Sequence, residues 1–318
     1  MYGNLWLRRS FLCAAFIAPL AFAAFPEKPI RIIAAFSPGS ATDNIARLVG
    51  EELTAAMGAS VIIENKPGAQ GVIGTDYAIR QPADGYTLTI SSTSLNSINP
   101  GLIKNLPYDA IKDFSHIIRL TTMPVLLLVK ADSPYKNVQD LVAAAEGGKL
   151  NFGYGSPGGQ VGAEAFNSMA KIKSVGAGYK SQPQALADLA GGVVDYVVAD
   201  TSVAGALMRA NRIRAIAVSA PQRLSDWKDV PTFVEAGFKD YDLVTWVGLA
   251  APANLSKDIV EKINTTIAKA LTKPRSKERL ATLGMEPGPN TVQEQDQFVR
   301  AQLDAWQRRM KEAGITPQ

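Results

Sequence analysis

The chain is poor in the side chains from which most catalytic and metal sites are built. Among 318 residues there is one cysteine, Cys13, and one histidine, His116. A zinc site of Cys and His ligands has almost nothing to draw on, and a Ser-His-Asp enzyme would have to be assembled around His116 alone. Charge is sparse as well. Only 19% of residues are charged, and 33 basic against 29 acidic side chains leave a net charge of +4. The charges are scattered, so nothing marks a nucleic-acid partner. After residue 24 no stretch reaches the roughly 18 apolar residues that a membrane span needs. No linker rich in Gly, Pro or Ser divides the chain. What is present is a 47% hydrophobic composition, which excludes disordered and low-complexity classes.

Residues 1–23 read as a secretory signal peptide. Arg8 and Arg9 form its positive region, Phe11 to Ala24 its apolar region, and Ala21-Phe22-Ala23 its small-x-small cleavage site. The mature chain is expected to start at Ala24, in the periplasm. Arg8-Arg9-Ser10-Phe11-Leu12 is similar to a twin-arginine core, but Leu7 stands where Ser or Thr is usual, so the export route stays open. Cleavage removes Cys13, and a chain without thiols needs no disulfide in an oxidising compartment.

Strands and helices alternate along the mature chain, which predicts an α/β fold. Ile30–Phe36 reads as a buried strand, followed by a helix over Ala41–Met57 with Ile45, Leu48, Val49, Leu53 and Met57 on its apolar stripe. Ser40-x-x-Asp43 marks its start. Val61–Glu64, Thr87–Ser91, Val125–Lys130, Leu150–Tyr154, Val193–Ala199, Ala215–Ser219 and Asp242–Ala250 read as further strands. Helices are expected around Gly74–Arg80, from Asn137, after Tyr154 through Ala170, from Ser181, from Ser256 and from Thr291. The mature length exceeds one comfortable core, so two lobes are expected.

Two turns are near-repeats. Ser37-Pro38-Gly39-Ser40 and Ser156-Pro157-Gly158-Gly159 each follow a strand and precede a helix. Ligands in α/β sheets sit beyond the carboxyl ends of strands, and the free N–H groups of a helix start attract anions. Glycine lets the backbone come close to a ligand. Two such turns could clamp a small anion, and a Val at Gly39 or Gly158 would then block it without unfolding the chain. Taken singly, each turn also reads as an ordinary strand-to-helix connection. Neither turn is a nucleotide motif: Gly155-x-x-Gly158-Gly159-x-x-Gly162 has the wrong spacing, and no P-loop Lys follows. Ser91 to Asn96 supplies hydroxyls that could donate to a ligand or form a plain loop. Tyr179-Lys180 opens another strand-to-helix junction. Asp200 could edge a cleft or cap a helix. His116 reads as a structural or surface residue.

These motifs together resemble the Bug/TctC-type solute receptors of tripartite tricarboxylate transporters, over nearly the whole mature chain. Phe36-Ser37-Pro38-Gly39-Ser40-Ala41-Thr42-Asp43 is similar to that family's F-x-x-G-G-x-x-D turn. Glu64-Asn65-Lys66-Pro67-Gly68-Ala69-x-Gly71-x-x-Gly74 is similar to its E-N-x-x-G-A-x-G-x-x-G stretch. Asp84-Gly85-Tyr86, Tyr108-Asp109, Tyr179-Lys180, Gly191-Gly192-x-Val194-Asp195, the Arg214–Ser219 strand and Trp246-x-Gly248-Leu249-x-Ala251-Pro252 follow in order. The chain departs at Ser40, which replaces a glycine, in a shortened segment between Gly158 and Glu164, and in lacking that segment's usual histidine.

The resemblance implies a two-lobed periplasmic binding protein of type II-like α/β architecture. Each lobe would be a mixed sheet flanked by helices, with a double interlobe crossing. Lobe 1 is expected to take 24–122 plus 242–318 and lobe 2 to take 123–241. The resemblance implies a carboxylate held by turn amides, often with ordered waters. One wall would run through Phe36, Ser37, Pro38, Gly39, Ser40, Ala41, Thr42 and Asp43. The other would include Tyr154, Ser156, Gly158, Gly159 and Gln160, with Ser91, Thr93, Ser94, Tyr179 and Asp200 in second rank. No cofactor, metal or nucleic acid is expected. The expected activity is that of a monomeric, non-enzymatic receptor passing a small organic acid to integral-membrane permease subunits. A ligand sensor feeding a signalling domain, and a periplasmic enzyme, stay open as alternatives at this level.

Overall fold

The computed structural model describes residues 25–148, 150–241 and 243–317. Residues 1–23, expected from the sequence to be a signal peptide, therefore lie outside the described residues. In chain order the elements begin with β1 (Ile30–Ala34), α1 (Ala41–Met57), β2 (Val61–Asn65), α2 (Val72–Ile79), β3 (Thr87–Ser92), α3 (Asn99–Leu102) and β4 (Phe114–Lys130). Next come α4 (Val138–Gly147), β5 (Leu150–Tyr154), α5 (Pro157–Ala170), β6 (Ser174–Gly178), α6 (Gln182–Gly191), β7 (Tyr196–Asp200), α7 (Thr201–Arg209) and β8 (Ile213–Val218). The chain closes with β9 (Val244–Pro252), α8 (Lys257–Leu271), α9 (Pro274–Thr282), β10 (Glu286–Pro287) and α10 (Val292–Glu312).

Two mixed sheets share one long strand. In the first, β2, β1 and β3 run parallel, and β9 joins β3 to the first part of β4 in antiparallel fashion. In the second, β6, β5 and β7 run parallel, and the last part of β4 pairs antiparallel with β7 and β8. The partners of β4 change between Pro124, opposite Val244, and Val125, opposite Asp200. Proline has no N–H to give to a ladder, which makes it a natural place for a strand to leave one sheet for another. Ser219 ties the junction together: its hydroxyl accepts from the Val125 N–H and donates to the Leu243 carbonyl.

Alternation along β4 serves two cores at once, because successive side chains leave a strand on opposite faces. Leu127 and Val129 join Phe152, Phe166, Tyr196 and Phe233 on one face. Leu126 and Leu128 join Leu186, Leu189 and Val197 on the other. The first sheet is packed by α1 and α8 through Ile45, Leu48, Val49, Leu53, Ile263 and Ile267. The last helix reaches further. Trp306 and Met310 of α10, with Ile98 and Leu102, belong to the same cluster as Phe166 and Phe233.

Most elements follow the sequence pattern, with shifted ends. The strand expected over Val193–Ala199 is β7, displaced to Tyr196–Asp200, and that expected over Asp242–Ala250 is β9, Val244–Pro252. The helix expected at Gly74 starts two residues earlier, at Val72. The first part of β4 and all of β6 escape the pattern. Ser115, His116, Arg119, Thr121 and Thr122 interrupt the first, and Ser-Val-Gly-Ala-Gly in the second has weak strand propensity.

Candidate functional site

Parallel strands of both sheets end towards a common gap, and each end leads into a helix start. β1 leads to α1, β5 to α5, β6 to α6 and β7 to α7. β3 leads into a short π-helical turn, Thr93–Ile98. Between these ends lies a small cavity of about 40 Å³. It is lined by Phe36, Ser40, Ala41, Thr42, Ser92, Thr93, Ser94, Met123, Gly155, Ser156, Gly158, Gln182, Asp200, Thr245, Trp246 and Val247. Its polar groups are hydroxyls, the Gln182 amide, the Trp246 indole, the Asp200 carboxylate and backbone. Asp200 is the one charged residue type among the lining side chains.

The first turn is braced from behind by Asp43. Its buried carboxylate accepts from the Gly39 N–H at 2.9 Å, from Arg47 at 2.9 and 3.0 Å, and from Asn65 at 2.9 Å. Asn65 also donates to the Phe36 carbonyl. Burial acts to raise the Asp43 carboxyl, but the bonds from Arg47, Gly39 and Asn65 outweigh it and hold it below the usual carboxylate range. Gly39 sits at φ +79°, where glycine is at ease. Its N–H is spent on Asp43, so it is a shaping residue. The cavity instead meets Ser40, Ala41 and Thr42. Ala41 and Thr42 are the first residues of α1, whose N–H groups have no partner within the helix. Ser40 caps the helix, accepting from the Asp43 N–H.

The second turn faces it. Ser156 caps α5 by accepting from the Gly159 N–H at 3.1 Å, and it also accepts from Gln182 at 2.8 Å. The Gly158 N–H crosses the gap to Ser94 Oγ at 3.3 Å. A second crossing contact runs from Gln70 Nε2 to Gln160 Oε1 at 3.3 Å. Both bonds join the ends of the two sheets, so the cleft is closed in this conformation.

Of the residues singled out from sequence, Phe36, Ser40, Ala41, Thr42, Thr93, Ser94, Ser156, Gly158 and Asp200 meet in the cavity. Ser37, Pro38, Gly39, Asp43, Ser91, Gly159 and Gln160 stand outside its lining. Tyr154 and Tyr179 line an adjoining hollow with Gly68, Ala69, Gln70 and Lys180, and Gly155 and Ser156 border both spaces. The Tyr179 hydroxyl donates to Asp188 at 2.8 Å. Ser92, one of the hydroxyls of the Ser91 to Asn96 segment, also lines the cavity, whereas sequence reasoning missed Met123, Gly155, Gln182, Thr245, Trp246 and Val247. Gln182 was legible only as a residue in the first turn of a helix, and Trp246 only as part of a motif. Met123 and Thr245 carry no local signal, because their place depends on β4 and β9 pairing at the junction of the sheets.

Asp200 sits at the start of α7 but makes no side-chain cap bond. Its carboxylate meets Thr245 Oγ1 at 2.9 Å and Gln182 Nε2 at 2.7 Å, inside the cavity wall. Burial pushes its carboxyl up.

His116 lies elsewhere. It is 5% exposed, stacks on Phe114 with ring centroids 5.5 Å apart, and places Nε2 3.2 Å from the Ala110 carbonyl. It is a core residue, which decides between the structural and surface readings. Burial pushes its pKa down from 6.5 to about 4. Folding therefore favours the neutral ring. That contribution is complete above pH 6.5 and lost as pH falls towards 4, where the unfolded chain binds the extra proton. The loss should be on the order of 3 kcal/mol. Urea unfolding at pH 7 and at about pH 4.5 should show His116→Phe losing less stability on acidification than the wild type. Equal losses would refute this account.

A double-sheet α/β fold with strand ends and helix starts closing on one cavity defines a two-lobed periplasmic-binding-protein architecture. Residues 45–315 match the model of the tripartite tricarboxylate transporter family receptor, and the chain belongs to that family, the Bug/TctC-type receptors. BugT of Bordetella pertussis is 28% identical over 308 residues, covering 95% of this chain and 94% of BugT. The Rhodopseudomonas palustris protein Rpa4515, solved with adipate, superimposes with a TM-score of 0.90 at 30% identity, over 93% of this chain and 100% of that one. MatC of the same organism, solved with malate, gives 0.83 at 27% identity, over 90% and 100%. Members of this family are solute-binding receptors. Among the described residues no helix is long and apolar enough to cross a membrane.

Proposed function

We propose that the protein is a periplasmic receptor that captures a small organic acid anion between its two lobes and delivers it to a tripartite tricarboxylate-type permease. The observation that carries this reading is the cavity between the starts of α1 and α5, where hydroxyls and backbone sit among the apolar side chains of Phe36, Met123, Trp246 and Val247. The first-turn N–H groups of Ala41 and Thr42 supply donors and the positive end of a helix dipole, which together suit a carboxylate. The absence of a cation from the lining fits recognition by dipoles and hydroxyls. Adipate and malate, bound by two relatives, are both carboxylates, which supports the ligand class. In this reading residues 24–122 and 242–318 form one lobe and 123–241 the other, hinged where β4 and the chain before β9 cross. The protein acts as a monomer after removal of residues 1–23. The ligand closes the cleft only through contacts that the open form lacks.

A thermal-shift screen of mono-, di- and tricarboxylates, amino acids and aromatic acids tests the reading. A ligand present at about 100 times its Kd adds about 2.7 kcal/mol, so at least one acid should raise the melting temperature by about 5 °C or more. A flat response across the panel would sink it, as would chemical turnover of a bound acid.

A further inference from the structure

Asp200 poses a problem for an anion receptor, because it brings a carboxylate into the wall of the very cavity that must hold the anion. Two negative charges in one small, desolvated space repel strongly. The hydrogen-bond geometry offers a way out. Thr245 Oγ1 carries a single hydrogen, yet it lies 3.2 Å from the Met123 carbonyl and 2.9 Å from Asp200 Oδ1. An ionised Asp200 would compete with Met123 for that hydrogen. A protonated Asp200 donates from Oδ1 to Thr245, Thr245 donates to Met123, and both contacts hold together. Oδ2 meanwhile keeps the bond from Gln182 Nε2, and Gln182 Oε1 accepts from the Asp200 N–H.

Among the described residues no cation pairs with a charge on Asp200, and burial outweighs the partial relief that Gln182, Thr245 and the backbone at the α7 start provide. Gln182 faces it from α6, Thr245 from β9 and Met123 from β4, and none of these titrates. The titratable groups of the same elements are engaged elsewhere. On α6, Asp188 accepts from Tyr179. On β4, His116 meets the Ala110 carbonyl, Arg119 donates to the Gly288 carbonyl and Lys130 pairs with Asp132. On β7, the Tyr196 hydroxyl donates to Asn167. Arg209 stands at the far end of α7, and Glu164 of α5 accepts from Gln160.

We propose that Asp200 takes up one proton from solvent when the cleft closes on its ligand, so that the receptor captures an organic anion and a proton together. The proposal rests on the carboxylate-receptor reading and adds the protonation state in which the site works. In the open cleft water reaches Asp200, so its carboxyl lies lower than in the closed one. Closure removes that water, and burial raises its carboxyl. Between the two values binding consumes a proton, so Kd rises with pH by up to tenfold per unit.

The test uses the mature protein with adipate, malate and benzoate as probes. Calorimetry of each binding probe, in buffers of different ionisation enthalpy, counts the protons taken up between about pH 4.5 and about pH 8. The expected count approaches one, beyond what the free acid's own titration explains, with Kd weakening as pH rises. Asp200→Asn keeps the neutral geometry, with its amide donating to Thr245 and its oxygen accepting from Gln182. It should take up no proton and give a flat Kd profile, binding more tightly than the wild type at the alkaline end. Binding without proton uptake in the wild-type protein would overturn the proposal while leaving the receptor reading standing. A wild-type pH profile retained by Asp200→Asn would do the same. Failure of every probe and of the wider acid panel to bind would remove the receptor reading and this proposal with it.

Discussion

Gly158→Val should lower affinity for whichever acid binds by about 100-fold or more, equivalent to roughly 3 kcal/mol, with little change in melting temperature of the free protein. A Cβ on Gly158 would lie 3.5 Å from Ser94 Oγ and 3.8 Å from Thr245 Cγ2. Those are ordinary contacts, so Gly158→Ala should fold and bind with a smaller loss. Valine adds two methyls, and they fill space between the α1 and α5 starts that a carboxylate would need. They also crowd the hydroxyl of Ser94, which the Gly158 N–H reaches across the cleft. Titration calorimetry of the three proteins checks the order. Undiminished binding by the valine variant would exclude this end of the cavity as the ligand site.

Gly39→Val, which the sequence alone suggests as an equivalent test, is a different experiment. Gly39 stands at φ +79° with its N–H bonded to Asp43. Valine there strains the backbone and loosens the brace behind the turn, so stability as well as binding falls.

Trp306→Ala should cost about 3–5 kcal/mol of stability, the usual penalty for removing a large aromatic from a core. Trp306 is 1% exposed and shares a cluster with Phe166, Phe233 and Met310. Its neighbours on α10 meet α3 closely. A Cβ on Gly101 would fall 2.5 Å from Met310 Cε, and Gln307 donates to the Ser97 carbonyl. The helix thus supports the Thr93–Ile98 turn on one side and the aromatic cluster on the other. Trp306→Phe should lose much less, since it keeps a ring and removes an indole N–H that has no hydrogen-bond partner among the described residues. Urea denaturation of both variants measures the difference, and a loss below about 1 kcal/mol for alanine would show that the surrounding cluster does not depend on the indole.

Local pattern carried much of the architecture. The α1 boundaries follow from Ser40 and Asp43 at one end and Gly58, at φ +70°, just past the other. The Ser156 cap and Pro157 start α5 by the same chemistry. Such signals reside in a few neighbouring side chains and their own backbone, so they survive without knowledge of the fold. The first part of β4 did not announce itself. Its polar residues are tolerated because β9 and β10 satisfy the strand edge and Arg119 reaches the Gly288 carbonyl.

The family, the alternation of strands and helices, and the two glycine turns that stand at the cleft are thus legible along the chain. Each is encoded in residues close together along the chain. Which groups of those turns meet the cavity depends instead on the packing of the fold. It turned Gly39 inward to Asp43, sent the Gly158 N–H across to Ser94, and brought Gln182 and Thr245 onto Asp200. Those contacts join residues from four to 64 positions apart. The longer ones depend on how two sheets meet along one shared strand, and sequence spacing carries no record of that.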